Sequence, residues 1–176
     1  MTLSADAVFP EKPMPTSQLV FTTEIAGPAQ TIFDLLADMP NYGRWLPGSE
    51  AFGATTQVTP YPVRLGTTYL DAGSLGQRPG TVTEFDPPRR LGFHHTMSLK
   101  KGPLTADLDI RIHYVFEHSG KATNVIRTLD FAIEIPFLFR FAKPIVLQGL
   151  RKENVRILSE LKGYIETNSA DRSLSA

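Results

Sequence analysis

Apolar and polar positions alternate with a period of two along most of this chain, and a period of three to four replaces it only in a short piece near the start and a long piece at the end. Leu19, Phe21, Thr23 and Ile25 share one side of a first strand whose other side carries Val20, Thr22 and Glu24, and Gly27 and Pro28 stop it. Proline suits a first helical turn. With Ile32, Phe33 and Leu36 at helical spacing, 28–37 is predicted to be a short amphipathic helix. Asp38 is placed to cap a second short helix through Trp45, ended by Pro47 and Gly48.

Six further strands are predicted over 52–58, 67–72, 80–86, 91–99, 106–118 and 122–135. The separators are Pro60 and Pro62, GSLGQRPG at 73–80, DPPRR at 86–90, KKGP at 100–103, and Ser119 with Gly120. None has room for a crossover helix, so neighbouring strands must run antiparallel. The last hairpin checks itself. Leu108, Ile110, Ile112, Tyr114 and Phe116 make an even apolar set, and Val125, Leu129, Phe131, Ile133 and Ile135 an odd one. A Ser119-Gly120 turn puts His118 opposite Lys121, so even positions face odd positions and both apolar sets share one face.

From about Phe141, steps of three and four link Leu147, Leu150, Asn154, Ile157, Leu158, Leu161 and Ile165, opposite Arg151, Lys152, Glu153, Arg156, Glu160 and Lys162. This predicts a helix of roughly 20 residues, from near Pro144 to before Thr167 and about 30 Å long, lying across the sheet's apolar face. The class is therefore α+β: about seven antiparallel strands, two short helices after the first strand, and one long C-terminal helix. A length of 176 residues fits one domain. We expect a flexible arm over 1–17, the domain over 18–167 and a flexible tail over 168–176.

Composition narrows function mainly by exclusion. Eighteen basic residues balance eighteen acidic ones, so no bulk field favours nucleic acid. There is no cysteine, hence no thiol nucleophile, and no HExxH, CxxC or GxSxG motif. His94 and His95 are adjacent on a strand and point to opposite faces, so they cannot share a metal. GSLGQRPG lacks the GK[ST] ending of a phosphate loop. The N-terminus lacks the basic and apolar runs of a secretory signal, and the most apolar stretch, 131–150, is broken by Glu134, Pro136, Arg140, Lys143 and Pro144. The expectation is a cytoplasmic protein with no cofactor, no metal, no nucleic-acid partner and no stable membrane insertion, acting as a monomer or homodimer.

The segment AGPAQTIFDLLADMPNYGRWLPG, the strand run containing TVTEFDPPRRLGF, and the closing helix together resemble the START-like superfamily, also described as the polyketide cyclase/dehydrase and lipid-transport or SRPBCC superfamily. The resemblance covers 18–166. It implies a helix-grip fold, a curved sheet around the long helix, with an internal cavity for a lipid, sterol or polyketide. One helix cannot fill the concave side of so wide a sheet, so the interior is either left open or plugged by bulky side chains. The residues expected to line a cavity are Trp45, Tyr69, Phe93, His95, Met97, Ile110, Ile112, Tyr114, Arg127, Leu129, Leu150 and Asn154.

Four of these are polar interruptions of apolar sets: His95, Tyr114, Arg127 and Asn154. Each has a structural reading. His95 serves as a hydrogen-bonded core histidine, Tyr114 packs its ring, Asn154 bonds a strand, and Arg127 pairs with Glu24 or Asp71 at the surface. The functional reading follows an aromatase/cyclase resemblance: His95 moves a proton next to a carbonyl while Arg127 or Tyr114 stabilises the enolate oxygen. Three functions follow: binding or transport of a small hydrophobic molecule, with loops near Pro60, Gly76 and Lys101 gating entry; cofactor-independent cyclisation or dehydration; and a quinone-binding or interaction role. The segment IPFLFRFAKPIVL, with Phe137, Phe139 and Phe141, is either the start of the helix's core contact or a transient membrane contact.

Overall fold

The short connections leave each strand beside its neighbour in sequence, and the result is a seven-stranded antiparallel meander closed at one edge by the first strand. A computed structural model describes residues 17–102 and 104–174. It contains β1 (Ser17–Ile25), α1 (Ala29–Ala37), a 3-10 helix (Met39–Arg44), β2 (Ala54–Thr59), β3 (Thr68–Gly73), β4 (Gly76–Asp86), β5 (Arg90–Lys101), β6 (Leu104–Ser119), β7 (Ala122–Glu134), a second 3-10 helix (Phe137–Ala142) and α2 (Lys143–Leu174). The sheet order is β1-β7-β6-β5-β4-β3-β2. β1 and β2 thus lie on opposite edges, and α1 with the first 3-10 helix carries the chain between them. α2 crosses the concave face in the helix-grip arrangement, burying Leu158, Leu161 and Ile165.

The far half of α2 is anchored on the end of β1. Lys162 Nζ donates to the Glu24 carbonyl at 2.8 Å, and the Ala26 amide donates to Glu166 at 3.0 Å. Gly27 lets the two approach, since a Cβ there would lie 2.9 Å from Ile165. The core between sheet and helices includes Phe33, Leu36, Val82, Leu91, Tyr114, Val125, Leu129 and Phe131.

Four sequence expectations need correction. GSLGQRPG is not a loop: Gly73 pairs with Gly76 around a Ser74-Leu75 turn, and β4 already runs from Gly76. Pro79 is tolerated there because β4 pairs with β5 only from Gly80 onward, so the missing N–H interrupts no second ladder. Second, the last hairpin turns at Gly120-Lys121, with Ser119 opposite Ala122 and Gly120 at φ +63°. That is a slip of two positions, which preserves which side chains share a face. Third, α2 does not end before Thr167 but runs to Leu174, so 168–174 is helix rather than tail; Asn168 and Ser169 donate back to the Tyr164 and Ile165 carbonyls. Fourth, β2 begins at Ala54, and Phe52 joins the core instead. The expected N-terminal arm lies outside the described residues except Ser17, which pairs with Phe131. No helix among the described residues is long and apolar enough to cross a membrane.

Candidate functional site

Two rows of residues crossing the sheet at β2 to β5 build the polar part of the interior. Thr55, Asp71 and Arg78 are register partners on β2, β3 and β4. Thr55 Oγ1 donates to Asp71 at 2.5 Å, and the Arg78 guanidinium lies 3.9 Å from the other carboxylate oxygen. Burial pushes the Asp71 carboxyl up, opposed by Arg78 and the Thr55 hydroxyl. In the second row, Tyr69, Gly80 and His95 are partners on β3, β4 and β5. Gly80 is required, because a Cβ would sit 2.3 Å from Tyr69 Cζ. The Tyr69 ring lies across that glycine and brings its hydroxyl 3.4 Å from His95 Nδ1.

β6, β7 and α2 supply the other wall. Arg127 is buried on β7, its guanidinium 4.7 Å from the centre of the Tyr114 ring. Its Nε donates to Asn154 Oδ1 on α2 at 2.6 Å, and Asn154 in turn donates to the Leu150 carbonyl. Neither Glu24 nor Asp71 is the partner of Arg127, contrary to the surface pairing considered from sequence. Among the described residues Arg127 makes no ion pair. Burial pulls its pKa down to about 10, which leaves it charged near neutrality. Burial, reinforced by the positive charges of Arg78 and Arg127, lowers His95 to about 3. His95 is therefore a neutral imidazole. Burial also keeps the Tyr69 phenol protonated, so the 3.4 Å contact between its hydroxyl and His95 Nδ1 joins two neutral groups.

These groups surround one internal hollow of about 80 Å³. Its lining comprises Leu36, Met39, Tyr42, Trp45, Leu46, Phe52, Tyr69, Asp71, Arg78, Phe93, His95, Ile112, Tyr114, Arg127, Glu153 and Ile157. That volume holds roughly two or three waters, well below the roughly 300 to 1,000 Å³ of pockets that enclose drug-sized ligands. Aromatic edges explain the difference: Tyr42 packs on Trp45 and tilts toward Phe52, while Phe93 meets both Tyr69 and Tyr114 edge-on. The plugged interior and the open one contemplated from sequence are thus both partly realised, as a small polar remnant among rings.

Acceptors around the hollow are already engaged. Asp71 accepts from Thr55, with Arg78 3.9 Å from its second oxygen; Glu153 accepts from Arg156 and Ser49; Asn154 accepts from Arg127. Burial opposes ionisation of Glu153, but the bonds from Arg156 and Ser49 outweigh it and hold the carboxyl below its usual range. Donors are left over. Trp45 Nε1 and Arg78 Nε are buried with no hydrogen-bond partner among the described residues, on side chains of residues only 4% and 9% exposed. Such orphans are rare because each costs desolvation without a compensating bond.

Of the twelve residues selected from sequence, Trp45, Tyr69, Phe93, His95, Ile112, Tyr114 and Arg127 line the hollow, and Asn154 reaches it through Arg127. Met97, Ile110 and Leu129 are buried elsewhere in the core, and Leu150 is half-buried on α2. Arg78 is masked in the sequence because GSLGQRPG carries the glycines and proline of a loop; the alternation extended back from Val82 through Gly80 turns it inward. Glu153 falls among the polar positions of the helical pattern, and Tyr42 has no periodic signal at all.

The fold and this site place the chain among helix-grip proteins with a polar-rimmed interior. The family model described as "Polyketide cyclase / dehydrase and lipid transport" matches residues 17–166, and the chain belongs to that family. No curated protein sequence matches it. Similar solved structures include a Mesorhizobium loti protein at 12% identity and TM-score 0.64, covering 86% of this chain and 98% of the other. A START superfamily protein from Mycobacterium smegmatis is 14% identical with TM-score 0.60, covering 85% and 97%. The di-domain ARO/CYC BexL from the BE-7585A biosynthetic pathway is 15% identical with TM-score 0.60, covering 85% of this chain and 46% of BexL. At such identities the likeness shows the fold.

Proposed function

We propose that this protein binds a small, largely apolar molecule that carries an oxygen acceptor, a carbonyl or carboxylate, and holds that oxygen against Arg78, Arg127, His95 and Trp45. The observation that carries the reading is the imbalance of the hollow: two buried guanidiniums and an indole N–H belong to its lining, with Trp45 Nε1 and Arg78 Nε unpartnered, while Asp71, Glu153 and Asn154 each already accept from a protein donor. A purely apolar guest would leave Trp45 Nε1 and Arg78 Nε unsatisfied, and an oxygen would satisfy them. The apolar remainder of the molecule displaces the rings of Tyr42 and Phe52 that pack around Trp45, which sit on the 3-10 helix and the loop before β2 rather than on the sheet. Family membership, by its description, agrees with a lipid or polyketide as the guest.

A cyclase or dehydratase activity is the second reading, favoured by the convergence of Arg127 and a neutral His95 on one hollow. There His95 works as a neutral hydrogen-bond donor polarising a carbonyl, because a conjugate acid of pKa about 3 makes a poor base near neutrality. Arg127 stabilises the enolate oxygen, and the Tyr114 ring holds the guanidinium in place.

Trp45 is the only tryptophan and lines the hollow, so its emission reports occupancy directly. Octanoate, which is optically silent, should produce a saturable change in Trp45 emission on protein stripped of bound material, at least tenfold weaker in Arg127→Gln. Extraction and mass spectrometry of protein as first purified should yield an oxygen-bearing apolar compound. No extracted compound together with no saturable response would refute binding. Turnover of a poly-keto substrate, lost on Arg127→Gln, would move the assignment to the catalytic reading.

A further inference from the structure

The surface where α2 begins is apolar on the wrong side. Of the eight large hydrophobic residues exposed among the described residues, five fall between Phe137 and Val155. Phe137 and Leu138 are each 77% exposed, Phe141 75% and Ile145 66%. An amphipathic helix on a soluble core turns its apolar residues inward, as α2 does with Leu158, Leu161 and Ile165. Ile145 and Val155 do the reverse, projecting outward with Lys152 at matching helical steps between them. Contiguous exposed apolar surface of this kind marks an interaction site.

Charge identifies the partner. From Ile135 to Lys152 the chain carries Arg140, Lys143, Arg151 and Lys152 and no acidic residue, although the whole sequence is balanced at 18 against 18. All four cations are exposed. Arg140 stacks 5.2 Å above the centre of the Phe137 ring, its charge held at the level of the aromatic surface. Glu134 and Glu153 bound this stretch; Glu153 is paired with Arg156, and Glu134 lines a groove beside the patch with Asp107, Arg140 and Lys143. Aromatic and aliphatic side chains interleaved with Lys and Arg suit the boundary between lipid headgroups and acyl chains. A second copy of this chain suits it less, because a two-fold contact would bring this cationic segment against itself.

We infer that the 3-10 helix Phe137–Ala142 and the first turns of α2 dock on an anionic lipid bilayer, inserting Phe137, Leu138 and Phe141 while Arg140, Lys143 and Lys152 contact acidic headgroups. The inference is independent of what the hollow holds.

Flotation with vesicles of 70:30 phosphatidylcholine and phosphatidylserine tests it. The protein should float with these vesicles at low salt, associate much less with pure phosphatidylcholine, and dissociate as salt is raised. Phe137→Ser combined with Leu138→Ser and Phe141→Ser should abolish flotation with no change in thermal unfolding, since the side chains are already in solvent. At roughly fivefold per cation, Arg140→Gln with Lys143→Gln should weaken binding roughly 25-fold and flatten its salt dependence, which keeps the test valid if the triple variant folds poorly. Failure to float with the anionic vesicles overturns the inference, as does undiminished flotation of both variants. A concentration-dependent dimer that the serine substitutions disperse, without vesicle binding, overturns it in favour of self-association.

Discussion

Arg127 on β7 and Asn154 on α2 hold each other across the interior, Nε donating to Oδ1 at 2.6 Å, so the long helix is fixed to the sheet by a charge-assisted bond to a neutral acceptor. Replacing the acceptor strands a buried guanidinium, whereas replacing the arginine removes the donor and the charge together. Asn154→Leu should therefore cost about 1 to 3 kcal/mol and Arg127→Met less than that, with the double variant recovering most of the loss. Urea unfolding near neutral pH measures all three. Additive losses would contradict the pairing.

His95 gives stability a pH dependence of known sign. Its folded pKa of about 3 lies below the ordinary 6.5, so the unfolded chain takes up a proton that the folded chain refuses. The contribution is fully present above pH 6.5 and is lost as pH falls toward 3, by about 1.4 kcal/mol per unit within that window. Asp71, raised by burial, acts oppositely, so the histidine is read from the difference between the parent protein and His95→Gln over pH 5 to 6.5 rather than from the parent slope alone. The slope of unfolding free energy over that range should shrink in His95→Gln; an unchanged slope would place the charge in water.

What the sequence made legible was whatever a period can express. The antiparallel order, the inward histidine of Leu91-Phe93-His95-Met97, and the shared face of β6 and β7 all follow from alternation, and the two-position slip at Gly120-Lys121 left that parity untouched. What stayed hidden was pairing across the sheet. Arg127 and Asn154 each stood out as an interruption in its own apolar set, but nothing in either segment announced that they bond to each other. Arg78 was hidden for a different reason: Gly76, Pro79 and Gly80 punctuate like a loop, and only a pairing arrangement in which β4 lacks its β5 neighbour up to Pro79 allows them in a strand. The size of the hollow was hidden too, since it depends on how the rings of Tyr42, Trp45 and Phe52 settle.

Gly80 is the smallest part of the Tyr69–His95 contact and the most sensitive. Alanine there would bring a methyl within 2.3 Å of Tyr69 Cζ, with Tyr69 Oη and Cε2 at 2.5 and 2.7 Å. The ring, hemmed in by Phe93, has to swing off the glycine, breaking its approach to His95. We expect Gly80→Ala to cost about 1 to 3 kcal/mol, and Tyr69→Ala to relieve part of that cost when the two are combined. In nuclear magnetic resonance spectra the imidazole signals of His95 should shift in Gly80→Ala much as they do in Tyr69→Phe. A stable Gly80→Ala protein with unmoved His95 signals would show that the ring does not lie across the glycine.

Gly149 offers the opposite case. It sits on the exposed side of α2, one residue before Leu150, whose carbonyl accepts from Asn154, and a Cβ built on it meets nothing within 4 Å. Glycine in a helix interior forfeits roughly 0.5 to 1 kcal/mol relative to alanine through backbone entropy, so Gly149→Ala should stabilise by about that amount, read as a higher urea midpoint with unchanged slope. The same substitution separates two uses of the helix. If α2 yields at Gly149 when the interior opens, Gly149→Ala slows exchange of the bound molecule as well as stabilising the fold; if the Tyr42 and Phe52 rings alone give way, exchange is unaffected. Stopped-flow recording of Trp45 emission distinguishes the two, because Trp45 belongs to the ring cluster and lines the hollow in either case.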